Sequence, residues 1–318
     1  NNAYTIFLIL LLLFISNSLL SLFYLIISIF LLTGCTTTLV DSKKQAVKNP
    51  ETGQSLTKNI LCQPENTKTV KIYEKNKVNV EKLPKCDNFK LTSGGYEGLW
   101  TSIFVKPLAF IILKLGKLVG SFAISIIIIT VILRFILFPF TKKMAIQSEL
   151  MKKASPELER IRKKYEGKTD EASMMRQNQE MLMVYKKYNF NPLSSCLVSF
   201  IQLPLFLALY EAINRVPAIF EDKFIGLQLG TTPVVGFGTP TFYVYLILII
   251  LIGATTIYTF KMSGAASQDP SMKMMPIMMS IMIIFTALFM PSALGIYWVT
   301  QNLFMIIQNT LTVKGVKK

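Results

Sequence analysis

Histidine is absent from the 318 residues of the chain. That removes Ser-His and Cys-His nucleophile pairs, HExxH zinc sites and every imidazole-ligated metal together. Cysteine is scarce: Cys35, Cys62, Cys86 and Cys196 form no CxxC pair, which leaves neither a zinc ribbon nor a thioredoxin-type motif. Acidic residues number 18 against 34 lysines and arginines, and within the apolar stretches only Glu211 occurs, near a boundary. An intramembrane aspartyl protease therefore lacks its two carboxylates. Met262-Ser263-Gly264 has no histidine to activate the serine. Gly167-Lys168-Thr169 has the ending of a P-loop, but Arg162 stands where that motif requires glycine and no strand precedes it. No catalytic residue, cofactor or metal is expected.

What the chain has in quantity is apolar surface. It is 52% hydrophobic with 16% charged residues and a mean hydropathy of +0.46, the composition of a polytopic membrane protein. The net charge of +16 is spread over several segments, so it reports membrane topology and not direct nucleic-acid binding. Five candidate spans lie at about 119–140, 192–213, 241–260, 274–290 and 293–313, most of them near the ~20 residues that cross a bilayer. Residues 141–188 carry 12 Lys plus Arg and are expected in the cytoplasm; alternation then places 214–240 outside and 261–273 inside.

One charge breaks the first span. Arg134 interrupts the run from Ser125 to Phe140, where it costs roughly 2.5–3.5 kcal/mol on insertion scales. Lys142, the nearest cytoplasmic marker, is eight residues away. That is about 12 Å along a helix at ~1.5 Å per residue, too far for comfortable snorkelling. The guanidinium is expected to face a partner or a water-filled cavity inside the protein.

Three further segments complete the organisation. Residues 1–34 read as a signal segment whose end, Leu32-Thr33-Gly34-Cys35, is a lipobox; cleavage would leave a lipid on Cys35. The plainer alternative is a membrane helix that happens to end in Gly-Cys. Residues 35–98 then form a lipid-anchored extracellular segment of modest order, in which Cys62 and Cys86 either close a disulfide or remain two free thiols. From Trp100 to Lys117, Lys106, Lys114 and Lys117 share one helical arc of roughly 80°. That predicts an interfacial helix anchored by Trp100, its lysines at lipid headgroups. In 141–188, Met144, Met151, Ala154, Leu158, Ile161 and Tyr165 form one a/d seam and Met174, Met181, Tyr185 and Tyr188 another. Asp170 is placed to cap the second helix. This predicts an antiparallel helical hairpin, with Met174, Met175 and Met183 on a basic, adaptable exterior.

Three stretches in order carry a family resemblance: Ser125-Ile126-Ile127-Ile128-Ile129-Thr130-Val131-Ile132-Leu133-Arg134; Asn191-Pro192-Leu193 followed by Gln202-Leu203-Pro204; and Met290-Pro291-Ser292-Ala293-Leu294-Gly295-Ile296-Tyr297-Trp298 leading to Asn302-Leu303. Over about 98–313 the chain resembles the YidC-type membrane protein insertases, which include the mitochondrial and chloroplast oxidase-assembly insertases, in a Gram-positive, lipoprotein-like form. The resemblance implies an all-α fold in the bacterial cell membrane, with five transmembrane helices around a hydrophilic groove open to the cytoplasm. It implies that Arg134, Thr130, Gln202, Tyr297, Trp298 and Asn302 line that groove. The implied partners are nascent membrane proteins and membrane lipids, with the Sec translocon, ribosome and targeting machinery reached through the hairpin. Two competitors share Arg134: a secondary transporter using it as an anion site, against which stands the lack of paired repeats, and a lipid-anchored assembly scaffold.

Replacing Cys35 with serine is expected to abolish lipid attachment and leave the signal segment uncleaved. Labelling cells with a radioactive fatty acid reads this directly, and label persisting on the serine variant would rule the lipobox out.

Overall fold

The computed structural model describes residues 36–189, 191–262 and 270–316, with the side chains of 192–201, 270–276 and 313–316 excepted. The signal segment, Cys35 and the side chain of Cys196 lie outside these. The long helices are α1 (Thr67–Lys75), α2 (Lys106–Val119), α3 (Phe122–Lys164), α4 (Glu171–Lys187), α5 (Pro192–Arg215), α6 (Phe242–Met262), α7 (Pro270–Leu288) and α8 (Ser292–Val316). Between α5 and α6 a two-residue hairpin pairs β1 (Lys223–Phe224) with β2 (Leu227–Gln228). Among the described residues, α3 and α6 are long and apolar enough to cross a membrane. α8 packs against α3 and α6, α2 against α3, and α7 against α6.

The outward faces of these helices are greasy. Phe135, Ile250, Phe285 and Ile307 are each more than half exposed. Apolar surface on this scale is not stable in water and fits a lipid solvent.

A tight corner sets the first helix against α2. Gly120 closes α2 at φ +72°, a left-handed conformation that glycine adopts without cost. Ser121 then caps α3 by accepting from Ile124 N. Gly116 lies under the Phe122 ring, where a Cβ would come within 2.2 Å of a ring carbon. Once started, α3 runs for 43 residues through Pro139 and Pro156, so the first span and the first arm of the hairpin are one helix. A span ending near 140 with a separate hairpin was expected; the helix continues because nothing at Thr141 breaks it. The Thr141 hydroxyl stands 3.2 Å from both Leu137 O and Phe138 O, in the turn beside Pro139.

The hairpin follows the predicted seams with one correction. Ala154, Leu158 and Val184 are buried at its centre, with Met151, Ile161, Met181, Tyr185 and Tyr188 packed on them. Asp170 caps α4 by accepting from Ser173 N at 2.8 Å. Met174, expected in the seam, is 50% exposed. The cross-links explain why: Glu180 meets Lys164 and Tyr165 at the end of α3, and Lys187 meets Glu157. Residues 171–179 therefore project past the end of α3 and have no helix opposite among the described residues.

The segment from 36 to 98 is more ordered than the sequence suggested. Short antiparallel bridges join Thr38 to Thr57 and Lys48 to Ser55. Leu39, Leu56, Ile60, Tyr73 and Val80 form a core that Phe220, from the loop after α5, completes. Cys62 and Cys86 are disulfide-bonded, 24 positions apart. These residues come together from distant positions, so no local periodicity announced them.

The expected headgroup-facing arc also needs correction. Lys114 and Lys117 are exposed, but Lys106 is 1% exposed and donates to Ser93 O at 2.7 Å and to Gly95 O. Trp100 is no interfacial anchor either; it is 5% exposed and its indole N–H donates to Glu211 Oε1 at 2.8 Å. Unpaired charge and an open N–H at the edge of hydrocarbon are costly, and these partners remove both.

Glu221 clasps the 36–98 segment to the helical core. Its Oε2 accepts from the backbone N–H groups of Glu65 and Asn66, at 3.2 and 3.3 Å, at the start of α1. Burial pushes its carboxyl above the ordinary range, against the pull of Thr69 and these N–H groups. A raised carboxyl pKa means proton uptake on folding, so the stability it supplies is present at low pH and lost as pH rises through the raised value. Glu221→Gln, which mimics the protonated form, is expected to raise the melting temperature near neutral pH and flatten its dependence on pH above the ordinary carboxylate range. Amide exchange at Asn66 should slow in parallel; an unchanged pH profile would show that Glu221 does not control the clasp.

Candidate functional site

Arg134 lies on the buried face of α3, 2% exposed. Its Nη2 donates to Gln202 Oε1 on α5 at 2.6 Å. The amide nitrogen of Gln202 in turn donates to the Tyr297 hydroxyl and, at 2.8 Å, to Gln301 Oε1 on α8. Three helices thus meet through one line of polar groups. Tyr297 and Gln301 are four residues apart and share a face of α8, as Gln202 and Phe206 do on α5. Phe206 stacks edge-on against Trp298, with ring centroids 5.6 Å apart.

Every partner in this line is neutral. Among the described residues no carboxylate forms an ion pair with Arg134; the buried ion pairs belong to Arg215 and Lys106 instead. Gln202 takes up one of the guanidinium's five N–H donors without cancelling the charge. A buried cation left in that state is an attractive site for an anion.

The structure brings together Arg134, Gln202 and Tyr297, with Trp298 joined through Phe206. Thr130, one turn from Arg134 on α3, is buried and spends its hydroxyl on Ile126 O at 2.6 Å. Asn302 is directed elsewhere: its Nδ2 donates to Thr255 and Thr256 on α6, at 3.2 and 2.9 Å. It fastens α8 to α6 and does not join the arginine line. Gln301 was missed, although a glutamine one turn from Tyr297 in an apolar stretch is a legible signal. Toward the far end of α8, Gln308 and Thr141 hydrogen-bond α8 to α3 at 2.9 Å.

The 229–231 loop is fastened to the start of α8. Ser292 N and Ala293 N, at the start of α8, donate to Thr231 O and Leu229 O at 2.9 and 3.0 Å. Beside them Arg215, 1% exposed, binds Glu97, Glu211, Thr101 Oγ1 and Asn59 O. Glu211 and Arg215 stand at i and i+4 on α5, a spacing that favours opposite charges.

Comparison with known proteins gives this arrangement its relatives. A family model described as 60Kd inner membrane protein matches residues 114–318. The membrane protein insertase YidC of Alkalihalophilus pseudofirmus is 37% identical over 220 residues, covering 68% of this chain and 83% of that protein. The insertase MisCA of Bacillus subtilis is 36% identical over 219 residues, covering 68% and 79%. A crystal structure of an active YidC insertase with its first transmembrane domain resolved superposes with a TM-score of 0.52 at 26% identity; the match spans 77% of this chain and 52% of that one. The chain belongs to the 60Kd inner membrane protein family, the YidC-type insertases of bacterial membranes.

Proposed function

We propose that the chain inserts nascent membrane proteins by holding the polar flank of an incoming helix at Arg134 while its apolar part passes into lipid. The observation that carries this reading is a buried guanidinium whose partners among the described residues are neutral. At an effective dielectric of ~20, a carboxylate ~4 Å from it gains about 4 kcal/mol. Placing an acidic residue at mid-membrane costs roughly 2.5–3.5 kcal/mol. One arginine therefore offsets one acidic group, and a heavily charged tail exceeds its capacity. Gln202 Oε1 is the acceptor that an incoming carboxylate would replace. Partitioning of the client helix into lipid then drives release, and no nucleotide is required of this chain.

In this reading α3, α5, α6, α7 and α8 are the five spans, and the arginine line marks a groove open to the cytoplasm. The hydrogen-bonded outer loops support closure on the other side. The lipid on Cys35 holds the N-terminal segment on the outer face. The hairpin receives clients, and its projecting tip with Met174 and Met175 suits adaptable contacts with nascent chains, the ribosome, targeting machinery or the Sec translocon.

Arg134→Ala is expected to cut insertion of clients with acidic translocated tails by roughly tenfold to a hundredfold, equivalent to ~1.4–2.8 kcal/mol. Arg134→Lys should retain much of the activity, because charge matters more than fork geometry. A reconstituted insertion assay across several acidic-tailed clients decides; equal activity of wild type and the alanine variant would sink the mechanism.

Deleting residues 157–180 should leave the membrane core folded, since the hairpin seam satisfies itself, but should reduce crosslinking to nascent clients. Melting near the wild-type temperature with undiminished crosslinking would remove the docking role.

A further inference from the structure

The hairpin between β1 and β2 turns on Ile225 and Gly226, both in the left-handed region, at φ +49° and +84°. Two positive values in a two-residue loop are the pattern of a type I′ turn, whose central positions favour asparagine, aspartate and glycine. A β-branched residue there is strained. Nor does the core need its side chain: the flanking Phe224 and Leu227 pack inward, whereas Ile225 is 75% exposed. In water, strain and bare apolar surface at one residue gain nothing. The compensation has to come from what surrounds the tip.

The hairpin is tied to the starts of two long apolar helices. Asp222 Oδ2 accepts from Phe122 N, the first residue of α3, at 3.0 Å. Gln228 N donates to the Tyr245 hydroxyl on α6 at 3.0 Å. At the tip, a Cβ added to Gly226 would stand 3.4 Å from a Val244 methyl group and 3.6 Å from that of Thr241. The turn therefore lies beside the first turn of α6 and does not rise away from it. There α6 exposes Phe242 and Tyr243, and its next turns expose Leu246, Ile247 and Ile250. Exposed aromatics followed by exposed aliphatics mark a span that passes from headgroups into hydrocarbon. Ile225 adds to the apolar surface at that level.

We infer that Ile225 is a lipid anchor, its side chain seated among the upper acyl chains of the leaflet on the side of the 214–240 loop. The inference rests on the reading of α6 as a span and goes beyond the insertion mechanism, which does not use this hairpin. A protein partner is the poorer occupant, because one side chain at a hairpin tip offers far less surface than a stable interface needs. A bilayer surrounds any apolar group at this level. Through Asp222 the anchor also bears on the depth of α3, on which Arg134 lies twelve positions beyond Phe122 by their numbers, about 18 Å along the helix at ~1.5 Å per residue.

The test places one copy of the full chain in each phosphatidylcholine and phosphatidylglycerol nanodisc, with a phospholipid carrying a diazirine on its acyl chain. After illumination, labelled peptides are mapped by mass spectrometry. Label should fall on residues 223–228 as well as on 242–251, and Ile225→Asn, which suits the turn better, should lower it severalfold on 223–228 alone. Label on 242–251 with none on 223–228 would overturn the anchor while leaving α6 a span; absence from both would overturn the two readings together. Undiminished label in the asparagine variant would show that the side chain is not the anchor. As a second measurement, Ile225→Trp is read against the wild-type emission of Trp100 and Trp298. Lipid brominated in the upper acyl chain should remove most of the added emission, and aqueous iodide little of it. The reverse order would place the tip in water and overturn the proposal.

Discussion

A guanidinium cannot shed its proton at physiological pH, so a chain that places one in the middle of an apolar helix must solvate it with its own side chains. The packing around Arg134 follows from that requirement. α5 and α8 come close enough to bring Gln202, Tyr297 and Gln301 into a single hydrogen-bonded line. A carboxylate would satisfy the same arginine more strongly, but it would also fill the site. A neutral partner at Gln202 binds the guanidinium and leaves its charge uncancelled, the arrangement on which the proposed mechanism rests.

Both ends of the helical core are fastened by polar contacts. At the end that carries the 214–240 loop, a network of Arg215, Glu97, Glu211 and Trp100 joins the segment before α2 to α5, and backbone hydrogen bonds fasten the loop at 229–231 to the start of α8. Buried ion pairs are weak sources of stability but costly to break one partner at a time, which suits a seal that must stay registered. At the other end Gln308 and Thr141 hydrogen-bond α8 to α3, and Asn191 N donates to Gln147 Oε1 on α3.

The helical framework was legible because apolar runs, the basic loop and the a/d seams are local patterns. Arg134 was legible because a charge in such a run has no innocent explanation. What escaped was set by contacts across the sequence. Lys106 sits in a lysine arc that reads as solvent-facing, yet carbonyls more than ten residues upstream claim it. Asn302 carries the right chemistry for a groove, but the phase of α8 turns it to Thr255 and Thr256. The core of the 36–98 segment draws on Phe220, well over a hundred residues beyond most of its other members, and no periodicity in 41–98 could reveal it.

Continuity of α3 connects the site to the hairpin in a way the sequence obscured. Arg134 and Leu158 lie on one helix, 24 residues apart by their numbers, or about 36 Å at ~1.5 Å per residue. A helix of that length supported by α8 on one stretch and α4 on another does not behave as a tether. The hairpin is therefore joined to the arginine by continuous helix, through Pro139 and Pro156, and not by a loop at Thr141.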